Sequence, residues 1–178
     1  MITPPMNRRS RRRVDANTLW LRPASLADVE TIVRFRLALL KEHGRHPIYG
    51  KVRDDVEARV RRSTPLHLAS GREITYLAVE GRTPVGMLRC MEARGSALLH
   101  PARYAYIAST FVLRTHRRRG ILKKLVEAAV TWARARGLGE LRLHTTPENA
   151  PANVAWDKLG FPPVELLRRR EISRAPGA

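Results

Sequence analysis

RTHRRRGILKKL, residues 114–125, places three arginines, Arg117 to Arg119, directly before Gly120 and an apolar segment with helical spacing. The first turn of a helix carries unpaired N–H groups and a partial positive charge. A cation there costs roughly 0.3–1 kcal/mol at an exposed site. Upstream, YAYIASTFVL (104–113) has the composition and length of a strand. Strand, tight loop, glycine and helix together are the arrangement in which backbone N–H groups form an anion hole. Gly120 lets a ligand approach the main chain with no Cβ in the way. With a phosphate or pyrophosphate docked, the arginines become its counter-charges, and Lys123 and Lys124 add charge one turn further on. The competing reading is a solvated basic loop whose repulsion is tolerated.

Working outward, Ile121, Leu122, Leu125, Val126, Ala129, Trp132 and Ala133 share one broad face of a helix over 118–136, capped by Gly137. LRLHT (141–145) reads as a strand, NAPANVAWDKLG (149–160) as a helix closed by Gly160, and VELLRRR (164–170) as a last strand. Toward the N-terminus, TLWLR (18–22) is a short strand ended by Pro23. Ser25 then offers an N-cap, with Asp28 at the third position, for a helix running to about Glu42. HGRHPIYGKVR (43–53) is a loop, and Asp54 to Arg62 a second short helix. ITYLAVE (74–80) and VGMLRCM (85–91) flank the turn Gly81 to Pro84 as a hairpin. The order β-α-α-β-β-β-α-β-α-β predicts an α/β fold with a mixed sheet and helices on both faces.

At 178 residues and 43% apolar, the chain has material for one domain with a core, which argues against global disorder. A single cysteine, Cys90, excludes an internal disulfide framework and suits a reducing compartment. No apolar run reaches the length of a membrane span, and the N-terminus MITPPMNRRSRRRVDAN has no apolar region after its arginines. The expectation is a cytoplasmic protein without a membrane partner. The net charge of +18 points to anionic partners: nucleic acid, acidic metabolites or phosphorylated cofactors. Only five of the 34 basic residues are lysines, so a GC-rich genome is a second explanation of the arginine excess. Residues 1–17 read as a flexible basic arm open to weak nucleic-acid contact, and 173–178 as a disordered tail.

YIASTFVLRTHRRRGILKKL resembles the cofactor-binding motif of the GNAT acetyltransferase superfamily, Arg/Gln-x-x-Gly-x-Gly/Ala after a strand, here Arg117 to Leu122. NAPANVAWDKLGF (149–161) is similar to the family's Asn-x-x-Ala-x-x-x-Tyr-x-x-x-Gly-Phe segment, and LRPASLADVE to its first strand and helix. The resemblance implies a single acyl-CoA N-acyltransferase domain over 18–172, with a splayed parallel pair in a mixed central sheet. It implies acetyl-CoA as donor and, as acceptor, a primary amine on a small molecule or peptide, attacking directly in a ternary complex. The coenzyme A pyrophosphate would sit on the backbone of Arg118 to Leu122, with charge from Arg117 and Arg119. The pantetheine arm would lie along Val112 to Arg114, in the manner of an added strand. The implied cofactor set is Phe111, Val112, Leu113, Arg114, Arg117, Arg118, Arg119, Gly120, Ile121, Leu122, Lys123, Asn149, Ala152 and Trp156. A bulge would splay the strand from LRLHT, and an N–H near Val112 would receive the developing oxyanion.

Three positions depart from the family pattern. Leu122 replaces the second Gly/Ala, and Trp156 replaces the tyrosine that protonates the leaving thiolate. Indole donates a hydrogen bond but not a proton, so Trp156 either orients the sulfur or packs. Ala108-Ser109 stands where the family often carries an acidic base, which leaves Ser109 in that position without a carboxylate. His144 is then the best-placed base and Tyr106 or Tyr104 the acid, with Glu92 and Glu148 as further candidates. His43, His46 and Asp54 lack a metal-ligand spacing, and no metal is expected. The acceptor contacts are expected from 42–64 and 92–103. In the first of these, Arg45, His46, Tyr49, Lys51 and Arg53 point to an acceptor bearing a carboxylate or phosphate. Alternatives are a basic nucleic-acid-binding protein and a coenzyme A module without catalysis. Monomer and homodimer stay open, the last strand being able to pair with another subunit's sheet.

Overall fold

Strands β1 (Leu19–Pro23), β2 (Glu73–Glu80), β3 (Thr83–Arg94), β4 (Arg103–Val112) and β5 (Leu141–Leu143) form one sheet in chain order. The first four are antiparallel neighbours; β4 and β5 are parallel. This computed structural model describes residues 18–172, so the basic arm 1–17 and the tail 173–178 lie outside the described residues. The chain divides after His144 into two compact units.

In the first unit, α1 (Val29–Glu42) and α3 (Ile121–Ala135) cover opposite faces of the sheet, and α2 (Val56–Ala69) follows α1. Strand alternation decides which residues each helix covers. Leu77, Val79, Met87 and Phe111 cluster with Ile32 and Phe35 of α1, and the Phe35 and Phe111 rings lie 5.4 Å apart. Gly86 alternates to the other face, where a Cβ on it would meet Ile121 Cγ2 of α3 at 3.4 Å and the Phe111 carbonyl at 3.1 Å. Glycine is therefore what lets α3 settle close to the middle of the sheet. Leu125 and Ala129 of α3, and Ala78, Leu88 and Cys90 of the strands, are fully buried. Burial pushes the Cys90 thiol up to about 12, so this cysteine packs and does not react.

The entry to α1 is fixed by Asp28. Its carboxylate accepts from Arg22 Nη1 and Nη2 at 2.7 and 2.6 Å, from Ser25 N at 2.8 Å and from Ser25 Oγ at 3.0 Å. The Arg22 bonds hold this carboxyl at about 2. A depressed carboxylate contributes stability in full above its unfolded value near 4 and loses it as pH falls through 2. Asp28→Asn is expected to cost about 2 kcal/mol at pH 7 and about half of that at pH 3, midway between the folded and unfolded values, read from urea melts at both pH values.

Several sequence expectations are corrected. The second helix runs to Ala69 and carries Pro65 inside it, well past Arg62. β3 continues to Arg94 because Glu92, Ala93 and Arg94 find partners in Ala105, Tyr104 and Arg103. α3 begins at Ile121 and not at Arg118, because Arg118 and Gly120 both take positive φ, 62° and 75°, which a right-handed helix cannot contain. The second unit holds α4 (Ala150–Lys158), followed by Gly160 at φ 83°. Residues 164–170 form no strand: they pair with nothing in a sheet, and Val164, Leu166 and Leu167 are exposed. A strand exists only through a neighbour's hydrogen bonds, so the residue types alone did not secure one.

Candidate active site

The site starts from a defect in β4. Arg89 of β3 faces Ser109 and Cys90 faces Ile107, so Ala108 is an extra residue without a partner, a β-bulge. On the other edge, β4 pairs with β5 only at Ala105, Tyr106 and Ile107. Beyond the bulge the parallel pair is open. Leu113 N donates to Val85 O at 2.9 Å, toward β3. By strand alternation the N–H and C=O of Val112 face the open edge. The Val112 carbonyl accepts from Arg117 Nε at 3.0 Å, which leaves its N–H on that edge. Thr110 Oγ1, in the same stretch, is buried without a hydrogen-bond partner.

Past β4 comes a 3-10 turn, Arg114–His116, and then the arginines. Alternating positive and negative φ from Arg118 to Ile121 curls the chain into a concave run of N–H groups at the N-terminus of α3. Among the described residues, the backbone N–H groups of Arg118, Arg119, Gly120, Ile121 and Leu122 have no acceptor. A Cβ on Gly120 would meet nothing within 4 Å, so the space above it is open. Ile121 is buried and Leu122 half-buried.

The arginines divide into two kinds. Arg117 Nη2 donates to both oxygens of Glu42, at 2.7 and 2.8 Å, and Arg114 Nε to Glu42 Oε1 at 3.0 Å. Arg119 bonds Glu80 Oε1, and His116 Nε2 lies 3.1 Å from Glu80 Oε2. Arg118 and Lys124 have no ion-pair partner among the described residues, and Lys123 is 3.9 Å from Glu127. Burial pushes the Glu42 carboxyl up, and the bonds from Arg117 and Arg114 outweigh it, so it titrates below the usual range. Arg119 and then His116 lower Glu80 likewise. Glu42 and Glu80 were not legible as site residues. The available hint was a carboxylate as the last residue of α1, where the helix dipole disfavours it.

At the other end of the bulge, the Tyr106 hydroxyl and His144 Nδ1 are 2.7 Å apart, with the rings edge to face at 5.6 Å. Pairing of β4 with β5 creates this contact, since Tyr106 faces Arg142 in the ladder and His144 follows β5 directly. Burial raises the Tyr106 phenol above its ordinary value. Ser109 sits beside the bulge opposite Arg89, whose guanidinium is held by Glu73 at 2.6 Å. Tyr104 lies under Arg142, 4.0 Å from ring centroid to guanidinium carbon, and Glu92 pairs with Arg103 at 3.1 Å. Glu148 is exposed. His46 Nδ1 accepts from the N–H groups of Ile48 and Tyr49 at 3.2 and 3.1 Å, so it builds its loop. No group of three metal-binding side chains occurs among the described residues.

The second unit carries the remaining expected residues. Asn149 Oδ1 accepts from Ala152 N at 3.3 Å and caps α4. Trp156 is buried, with Phe161 edge-on at 5.5 Å.

A parallel pair open beyond a bulge, followed by unpartnered backbone N–H groups at the start of α3, is the arrangement that the family resemblance implies. Residues 39–161 match the Acetyltransferase (GNAT) family, and the chain belongs to that family. It is 33% identical over 95 residues to N-alpha-acetyltransferase 30 of Saccharomyces cerevisiae, covering 50% of this chain and 52% of the relative. It is also 33% identical over 62 residues to the type 1 aminoglycoside N(6')-acetyltransferase of Salmonella typhimurium, covering 35% and 43%. The chain thus spans about half the length of the curated relatives it matches. Among solved structures, the aminoglycoside N-acetyltransferase AAC(6')-Iy, in complex with the bisubstrate analogue CoA-S-monomethyl-acetylneamine, shares the fold. Its TM-score is 0.70 at 19% identity, covering 88% of this chain and 99% of that one. No helix among the described residues is long and apolar enough to cross a membrane.

Proposed function

We propose that the protein is an N-acetyltransferase that transfers the acetyl group of acetyl-CoA to a primary amine of a small molecule or peptide, without a covalent enzyme intermediate. The observation that carries this is the continuity of the open β4 edge with the unpartnered N–H groups of Arg118 to Leu122. Those N–H groups, with Arg118 and Lys124, fit a pyrophosphate, and the Val112 N–H fits an amide-bearing arm laid along the strand. Bound there, acetyl-CoA supplies an electrophilic thioester carbonyl and a thiolate leaving group.

The chain's own residues manage the protons. In the tautomer where His144 Nδ1–H donates to the Tyr106 oxygen, Nε2 keeps a free lone pair and the phenol O–H is free to donate elsewhere. His144 Nε2 takes the proton the amine must lose, and Tyr106 Oη gives a proton to the departing sulfur. The Nδ1 proton of the imidazolium then restores the phenol, so one proton passes in net from nitrogen to sulfur, and proton exchange of the exposed His144 ring with water returns it to its starting tautomer. The Val112 N–H is the candidate donor to the developing oxyanion. This division answers the absence of an acid at Trp156 and of a carboxylate at Ala108-Ser109.

The acceptor loop carries Arg45, His46 and Tyr49, while Asp55 is engaged by Arg53 and Arg59. That balance favours an amine bearing a carboxylate or phosphate over a polycation. Reliance on acetyl-CoA and a lone buried thiol suit the cytoplasm. The test is thiol release from acetyl-CoA over a panel of free amino acids, peptides, phosphorylated amines and an aminoglycoside. Amine-dependent release, strongest with the anionic acceptors, is expected. Binding of acetyl-CoA without release on any amine contradicts the enzyme reading.

A further inference from the structure

The arginines before Gly120 pose a problem of sign that the phosphate alone does not solve. They stand at the positive end of α3, and Glu42 stands at the negative end of α1. Each is unfavourable for its own helix. Crossing them removes both penalties, because Glu42 brings negative charge toward the start of α3 and Arg114 and Arg117 bring positive charge to the end of α1. The pairs are 72 and 75 residues apart in sequence, so the contact is made only by the fold.

Arg117 is held by three contacts. Its Nη2 reaches both Glu42 oxygens, its Nε holds the Val112 carbonyl, and its guanidinium carbon lies 6.0 Å from the Phe111 ring centroid. It thus ties the end of β4, the arginine loop and α1 together. Glu80 at the end of β2 does the same for Arg119 and His116. Between these two anchors stands Arg118, at φ 62°, with no carboxylate partner among the described residues.

Resting on the reading of this loop as the acetyl-CoA phosphate site, we infer that Glu42 and Glu80 are positioning residues of that site. They clamp Arg117 and Arg119 as struts that hold the concave N–H run open, and direct phosphate contact falls to Arg118, Lys124 and the backbone. The alternative is that Glu42 and Glu80 merely occupy arginines which the phosphate later claims. The two readings predict opposite signs. If the carboxylates position the loop, removing their charge weakens coenzyme A binding. If they compete with the phosphate, removing it tightens binding.

The experiment is calorimetric titration of coenzyme A into the full chain and into Glu42→Gln, Glu80→Gln, Arg117→Met, Arg118→Met and the Glu42→Gln/Arg117→Met double variant, with melting curves for each. Loss of a charge-assisted strut is expected to raise Kd about tenfold in Glu42→Gln and in Glu80→Gln. The double variant binds no worse than Arg117→Met, because Arg117 acts through Glu42. In turnover the effect falls on KM for acetyl-CoA more than on kcat. Arg118→Met also weakens binding, and its salt dependence flattens because a direct phosphate contact is gone. Unchanged or tighter binding in Glu42→Gln and Glu80→Gln overturns the inference while leaving the cofactor site intact. Failure of the unaltered chain to bind coenzyme A overturns both. Should Glu42→Gln fail to fold, Glu80→Gln alone carries the same sign test.

Discussion

His144→Ala is expected to lower kcat about a hundredfold, and Tyr106→Phe to lower it by a similar factor, the lower range of general acid–base contributions. The double variant is expected to be no slower than the slower single one, because two groups sharing one 2.7 Å hydrogen bond act as a unit. KM for acetyl-CoA changes little in either, since neither residue lies on the β4–α3 loop. Steady-state thiol release at saturating amine provides the numbers. Fully multiplicative losses separate the two residues into independent roles. An unaltered kcat in both removes them from the reaction.

Gly120→Asp is expected to raise the Kd for acetyl-CoA by more than about a hundredfold, because it sets a fixed anion among the N–H groups proposed to receive the phosphates. Gly120→Ala separates charge from backbone strain. The position has φ 75°, so alanine costs about 1 kcal/mol of stability, and its Cβ enters the open space proposed for the phosphate, so affinity falls, but by less than in the charged variant. Aspartate tolerates the left-handed region better than alanine, so its effect appears in binding more than in melting temperature. Calorimetric titration of both variants, with melting curves beside it, checks the pair. Equal affinity in Gly120→Asp and the unaltered chain contradicts the cradle.

The signals legible in sequence were those carried by local chemistry. Gly120 after Arg117 and the apolar face of Ile121, Leu125, Ala129 and Trp132 stand where their patterns put them, and the hairpin forms with its turn narrowed to Gly81 and Arg82, because Thr83 and Pro84 already pair in β3. The bulge and the opened pair came from the family resemblance, and the extra residue at Ala108 bears them out. What stayed hidden depends on distant partners. Residues 164–170 read as a strand yet have no neighbouring strand, and α2 runs through Pro65 on its packing at Val60 and Thr64. Beyond the unfavourable place of Glu42 at the end of α1, Glu42 and Glu80 gave no local sign of holding Arg117 and Arg119, which sequence reasoning assigned to the phosphate. Tyr106 and His144 were both named, but their hydrogen bond exists only because β5 joins β4 for three residues.

The most direct measurement compares the melting temperature of the full chain with saturating acetyl-CoA and with the same concentration of S-acetylpantetheine, which lacks the pyrophosphate. At about a hundred times Kd, acetyl-CoA is expected to stabilise by about 2.7 kcal/mol, a rise of roughly 6–10 °C for a chain of this size, and S-acetylpantetheine to give almost none. Equal shifts from the two thioesters, or none from either, would contradict the account.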